Sequence, residues 1–266
     1  MLVLVFCGVR FDVYSQAKRD FRIVAFFTAK NDQAHISFVK EAVSWFLKNA
    51  SARHYEFDTT RNWGNLNDDF LSRYRLVIFL DTRPEGAAQR IAFQRYMEKG
   101  GSWMGFHFSA FALTPSAYPQ NWDWYHNEFL GSGEYVSNTW RPTPATLKVE
   151  DPDHPVTKDL PLKFLSAANE WYRWKHDLRT NKDIRILLSV HDDSFPLGTG
   201  PKPHEIWYAG YYPVAWTNTK YKMVYFNMGH NDIDYEGGTG RELSFTFSSE
   251  TQNQLIVNAI EWLVRD

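Results

Sequence analysis

The feature that most constrains this chain is a strict alternation in its first half. Short apolar runs are separated by segments with helical periodicity. Residues 22–28 (Arg-Ile-Val-Ala-Phe-Phe-Thr) form a nearly unbroken apolar run, as expected of a strand buried on both faces. A helical pattern follows, with Ile36, Val39, Val43, Phe46 and Leu47 predicted on one face. Residues 54–60 read as a second strand and residues 65–72 as a short helix. Leu76-Val-Ile-Phe-Leu80 reads as a third buried strand ending at Asp81. Pro84 opens another predicted helix, with Ala88, Ile91, Ala92 and Tyr96 inward, and Gly100-Gly101 closes it. Ser102-Trp-Met-Gly-Phe-His107 is the fourth strand. Four strands alternating with helices predict a parallel sheet with helices on both faces.

The second half is less regular. Residues 110–145, rich in Pro, Asn, Trp and Gly, read as a long functional excursion. Short strands are predicted near 145–150, 170–174, 184–190, 213–217 and 222–227. A closing helix carries a capping box at Ser249 and Gln252 and a buried stripe of Ile256, Ala259, Ile260 and Leu263. No repeat or linker divides the chain. The expectation is one α/β domain over residues 21–266, with an antiparallel portion added to the parallel sheet.

Charge and composition exclude several classes. Lys and Arg number 29 against 31 acidic residues, a net charge of −2, so no electrostatic footprint for nucleic acid or an anionic membrane exists. A single cysteine, Cys7, rules out a disulfide framework and a Cys-based zinc site. No Walker loop, HExxH or Gly-x-Ser-x-Gly is present, and the Gly-x-Gly pairs neither follow a strand nor open a helix. Residues 1–16 resemble a secretory signal peptide: Leu2–Val9 is apolar, and Val13-Tyr14-Ser15 precedes a cleavage point at Gln16 or Ala17. A basic n-region is absent, as it would be if a longer leader had been clipped. The expected location is periplasmic or secreted. No other segment approaches the roughly 20 apolar residues of a membrane span.

Ligands in open parallel sheets sit beyond the carboxyl ends of the strands. His35 follows the first strand, Asp81 ends the third, His107 ends the fourth, and His230 follows the Met223–Met228 run. Three histidines thus fall where the fold gathers side chains on one rim. Gly105-Phe-His107-Phe-Ser109 has the form of a nucleophile elbow with histidine at its centre. Histidine there can act as acid or base, or bind a metal, but not as an acyl-forming nucleophile. Aromatic residues make up 17% of the chain, enough to leave some for a ligand surface. Asn121-Trp122-Asp123-Trp124-Tyr125-His126 alternates rings and polar groups, which suits sugar stacking or, equally, a satellite core. Glu170 stands beside Trp171 and Tyr172.

Taken together, Gly100-Gly-Ser-Trp-Met-Gly-Phe-His107, His154-Pro155-Val156, Glu170-Trp171-Tyr172, Pro213-Val-Ala-Trp216-Thr217 and Gly229-His230-Asn-Asp232 resemble the ThuA-like, or trehalose-utilisation, family. The resemblance runs from about residue 21 to the end. It implies the flavodoxin-like sheet of class I glutamine amidotransferase-like proteins, without the amidotransferase cysteine. It also implies action on a sugar, a disaccharide or an oxidised keto-glycoside. On this basis His107, Glu170 and His230 are expected as acid/base groups, and His35, Trp122, Trp124, Tyr125, Tyr172 and Asp232 as substrate-binding residues. Phe108, directly after the elbow histidine, and the Trp-rich 118–126 segment depart from the family pattern. A divalent ion such as zinc suits His and carboxylate ligands, although no spacing demands one and the metal ligands are left unassigned. The alternative is a non-catalytic carbohydrate-binding protein with a degenerate amidotransferase-like site.

Overall fold

The computed structural model describes residues 21–113, 121–139, 141–192, 194 and 210–265. The expected leader and residues 114–120 of the excursion lie outside them. The first half comprises β1 (Arg22–Phe26), α1 (Gln33–Arg53), β2 (Glu56–Thr60), α2 (Asp68–Leu71), β3 (Leu76–Phe79), α3 (Ala87–Glu98) and β4 (Ser102–Phe106). The second half adds β5 (Tyr135–Asn138), β6 (Thr146–Val149), β7 (Lys163–Leu165), β8 (Tyr172–Trp174), β9 (Ile184–Val190), β10 (Pro213–Asn218), β11 (Tyr221–Phe226) and α4 (Glu250–Val264).

Nine strands form one sheet in the order β2-β1-β3-β4-β11-β10-β9-β6-β7. β2, β1, β3, β4 and β11 run parallel, and β10, β9, β6 and β7 extend the sheet antiparallel. The parallel part has the flavodoxin-like order, and the predicted antiparallel portion continues the same sheet. β5 and β8 pair separately as a two-stranded ribbon. Among the described residues no helix is long and apolar enough to cross a membrane.

The period-2 alternation of a strand decides which layer each side chain joins. Ile23, Ala25, Ile78, Met104 and Phe106 pack with Phe38 and Phe46 of α1 and Leu255 and Ile256 of α4. Val24, Phe26, Val77, Phe79 and Trp103 face the other way, onto Phe93 and Met97 of α3. Both faces are therefore covered, which is why these strands read as continuous apolar runs.

The expected helix faces are partly wrong. In α1 the buried stripe is Ala34, Phe38, Ala42, Phe46 and Ala50, with Ser37 and Val39 beside it, while Leu47 is exposed. Small alanines at eight-residue spacing, alternating with Phe38 and Phe46, let this helix approach the sheet closely. In α3, Ala92, Phe93 and Met97 face inward and Ile91 is exposed. α3 begins at Ala87 rather than at Pro84, and β2 begins at Glu56 because His54 ends α1 in a left-handed conformation. Ser249 caps α4 as expected by accepting from the Gln252 N–H. The reciprocal half of the box is absent: the Gln252 amide bonds instead to Thr246 and Ala167.

Candidate functional site

The carboxyl ends of β1, β3, β4 and β11 lie in register, with Phe26 beside Phe79 and Phe106 beside Phe226. Whatever follows these strands is delivered to one rim. His107 follows β4 directly. Its φ of 38° places it in the left-handed region, so the chain turns sharply and throws the imidazole off the strand axis. Two bonds hold the turn. The Tyr225 hydroxyl donates to the His107 carbonyl at 2.8 Å, and Arg83 Nη1 donates to the Phe108 carbonyl at 3.1 Å. Gly105 is needed beneath it, since a Cβ there would meet the Trp103 ring at 2.0 Å and Ser109 Oγ at 2.8 Å.

His230 lies in the loop after β11, and its neighbours alternate between scaffold and site. The side chain of Asn231 turns back to Glu41 of α1 at 2.7 Å and accepts from Thr246. His230 and Asp232, two residues apart, face the rim together, with His230 Nδ1 at 2.9 Å from Asp232 Oδ1. That contact is an ion pair by distance but poorly aligned as a hydrogen bond. Glu170 precedes β8. Its Oε2 stands 3.6 Å from His107 Nε2 and 3.7 Å from His230 Nδ1. The side chain of Asn227 anchors β8 by accepting from the Tyr172 N–H at 3.1 Å and donating to the Tyr172 carbonyl at 2.9 Å. The Tyr172 ring packs on His107, with centroids 3.8 Å apart.

The structure therefore brings His107, Glu170, His230, Asp232, Tyr172 and His35 together. The His230 ring lies 5.1 Å from both His107 and His35. The cluster is deep: His107 is 0% exposed, Asp232 1%, Glu170 7% and His230 8%. Half-buried His35 and Phe108 form its solvent side.

Burial drives the electrostatics apart. Burial, then the neighbouring His230 and His35, hold the His107 pKa well below the usual imidazole value. His107 is thus neutral. Its Nε2–H donates to the Glu170 carbonyl at 2.9 Å, which leaves Nδ1 as a lone pair with no hydrogen-bond partner among the described residues. Burial and His230 likewise push His35 down to about 4, against the pull of Asp32. Burial also opposes charge on His230, but Asp232, Glu170 and Asp32 outweigh it and raise its pKa to about 9. One neutral and one cationic imidazole thus face each other, an arrangement that suits a base and an acid.

Trp122, Trp124 and Tyr125 are placed elsewhere. They lie in the layer with Phe93, Trp103 and Phe129 on the α3 face of the sheet. Trp122 stacks on Tyr125 at 5.0 Å and 8°, and Trp124 on Phe129 at 5.1 Å and 21°. Their faces are covered by neighbouring rings, so the expected stacking platform is a core layer. The aromatic surface beside the histidines is a different one. Phe108 and Phe111 stack at 4.6 Å, and Tyr135 joins Phe111 and Tyr172. Phe108, Phe111 and Tyr135 are each partly exposed.

Three more residues escaped the sequence reading. Asn138 donates to Glu170 Oε1 and accepts from the Tyr135 hydroxyl at 2.6 Å, which fixes the carboxylate from its outer side. Asp32, the cap of α1, lies within reach of His35 and His230. In sequence Asn227 merely closes the strand predicted near 222–227. Asp81, expected on the rim, is instead a clamp: it accepts the N–H groups of Thr28 at 2.8 Å and of Ala29.

A family model described as trehalose utilisation (ThuA) matches residues 23–263. The crystal structure of a ThuA-like protein from Bacteroides uniformis is similar at a TM-score of 0.81 and 35% identity, covering 94% of each chain. A ThuA-like protein from Parabacteroides merdae gives 0.61 and 18%, over 92% of this chain and 90% of that one. A β-galactosidase from Bacillus circulans gives 0.52 and 12%, over 90% of this chain and 30% of that one. The last two likenesses concern the fold alone. No curated protein matches the sequence.

Proposed function

The chain belongs to the ThuA, trehalose-utilisation, family, and from that premise we propose that it acts on a disaccharide or keto-glycoside by moving protons between His107, Glu170 and His230. The observation that carries this reading is the convergence of three side chains from distant segments: the β4 turn, the approach to β8 and the loop after β11. The lone pair of His107 Nδ1 accepts a proton from the carbon beside a keto group. The His230 imidazolium, held between Asp232 and Glu170, gives a proton to oxygen. The enediol so formed reprotonates to an isomer, or expels the neighbouring sugar as an alcohol. Phe108, Phe111 and Tyr135 offer ring faces to the sugar. A non-catalytic binding module would scatter its histidines and gather rings at the opening; the gathered histidines favour catalysis. The elbow nucleophile position holds His107, so no glutaminase activity is expected.

Solvent deuterium exchange tests this reading. The protein is incubated in D₂O with trehalose and with its keto derivative, and label at the carbon beside the carbonyl is followed by NMR. Label should enter the keto sugar. His107→Asn, chosen because Asn tolerates positive φ, should slow exchange roughly 10²–10⁴-fold, the usual loss of general acid–base help. No exchange with the parent, or equal exchange with the variant, would overturn the assignment.

A further inference from the structure

Asp232 is a carboxylate in an unusual place. It is 1% exposed, and apart from the poorly aligned His230 Nδ1, 2.9 Å from Oδ1, its oxygens have no hydrogen-bond donor among the described residues. Buried carboxylates ordinarily collect such donors or coordinate a cation. Its charged neighbour is His230, whose Nδ1 also lacks an aligned partner. Glu170 Oε2 completes a triangle with them: one oxygen or nitrogen from each of Glu170, His230 and Asp232 lies within 4.8 Å of the other two. Zinc-type bonds of about 2.0–2.2 Å place ligand atoms roughly 3–3.5 Å apart. The measured separations of 2.9 and 3.7 Å bracket that range.

We infer that Glu170, His230 and Asp232 form a binding site for one divalent transition-metal cation. One imidazole and two carboxylates, with no thiolate, are a borderline-to-hard donor set that suits Zn²⁺ or Mn²⁺. Asp32, His35 and His230 make a second triangle of similar size. That one is the weaker candidate, because Asp32 Oδ1 already accepts the Ala34 N–H at 2.9 Å and the Tyr235 hydroxyl at 3.2 Å. The surrounding shell fits a metal site as well. Asn138 donates to the other Glu170 oxygen, and Ser244 Oγ accepts from the Asp232 N–H at 3.0 Å, so both carboxylate-bearing residues are held from behind. This inference deepens the proposed site. Without the ion His230 carries the proton given to oxygen; with it bound, the ion would supply Lewis-acid polarisation of that oxygen in the proton's place, and His107 would remain the base.

Metal binding is measured on chelator-treated protein without sugar, so its outcome is separate from that of the exchange assay. Zn²⁺ and Mn²⁺ are titrated by calorimetry, with bound metal counted by elemental analysis and melting followed in parallel. One equivalent should bind per chain and raise the melting temperature. Asp232→Asn, nearly the same in shape, should weaken binding at least tenfold and abolish the thermal shift. If that variant does not fold, Glu170→Gln carries the same expectation. Failure of the parent to bind either ion saturably, or equal binding by the variants, would overturn the site. In that case the loss of exchange in His107→Asn would still stand as evidence for acid–base chemistry.

Discussion

Two regions of this molecule look alike in sequence and differ in structure. The segment 121–129 and the rim around His107 are both rich in rings interleaved with polar groups, and both are buried. In the first, rings cover rings. Phe129 alone lies within 5.1–5.7 Å of Trp103, Trp124, Tyr125, Phe93 and Tyr221. The loop's backbone is tied to the antiparallel strands, with Trp216 Nε1 donating to Leu130 and the Asn218 amide to Glu128 and Phe129. In the second, imidazoles and carboxylates from four segments press together. Among the described residues both regions keep buried polar atoms without partners, His126 Nε2 and the Tyr125 hydroxyl in the first, His107 Nδ1 and the Asp232 carboxylate in the second, but only the second packs several ionisable groups against one another. Burying ionisable groups in this way costs stability, and concentrated cost of that kind marks a working site. The first region is built to hold and the second to react.

Substitutions should separate them. The largest effect on stability is expected in the aromatic layer. Phe129→Ala removes a fully buried ring and should cost about 3–5 kcal/mol, lowering the melting temperature by roughly 6–20 °C at this size. Exchange per folded molecule should be unchanged. A loss of exchange at full folding would mean that the layer serves the site directly. Gly105→Ala lies on the border of the two regions. The new Cβ must displace Trp103 or Ser109, at a cost of about 1–3 kcal/mol. Because the same backbone sets the His107 turn, both melting temperature and turnover should fall. A variant that melts earlier at full turnover would show that the turn does not set the rate. The smallest effect is expected at the partly exposed ring wall. Phe111→Leu should raise KM a few-fold and leave kcat and melting temperature nearly unchanged. A fall in kcat with KM unchanged would remove the wall from substrate binding.

The contrast also explains what was legible in the sequence. His107 and His230 could be read because each follows an apolar strand run, and parallel strands deliver their ends to one rim. Glu170 could be read because its ring neighbours made it conspicuous. Asn138 and Tyr135 could not. They sit on β5, a four-residue strand whose partner β8 lies more than thirty residues away, so nothing local announces it. Trp122, Trp124 and Tyr125 were misplaced for a related reason. Local sequence shows that a ring is present but not which of its faces another element will cover. The α1 and α3 faces slipped because the stripe was read from large residues, whereas alanines at 34, 42 and 50 let α1 settle against the sheet. Leu47 and Ile91 were left outside. Burial of His107 carries a further lesson: a residue at a strand's end can be as buried as the core. Replacing it with Ala would open a cavity under Tyr172, and Asn is the safer probe.

His107, Glu170 and His230 are proposed to work as one unit. A double-mutant cycle measures this most directly. Deuterium exchange into the keto sugar is followed for the parent, His107→Asn, His230→Gln and the double variant, each corrected for its folded fraction. Groups that act together give strongly non-additive losses, so the double variant should be about as slow as the slower single one. If the two losses multiply, His107 and His230 act independently, and the single working site described here does not exist.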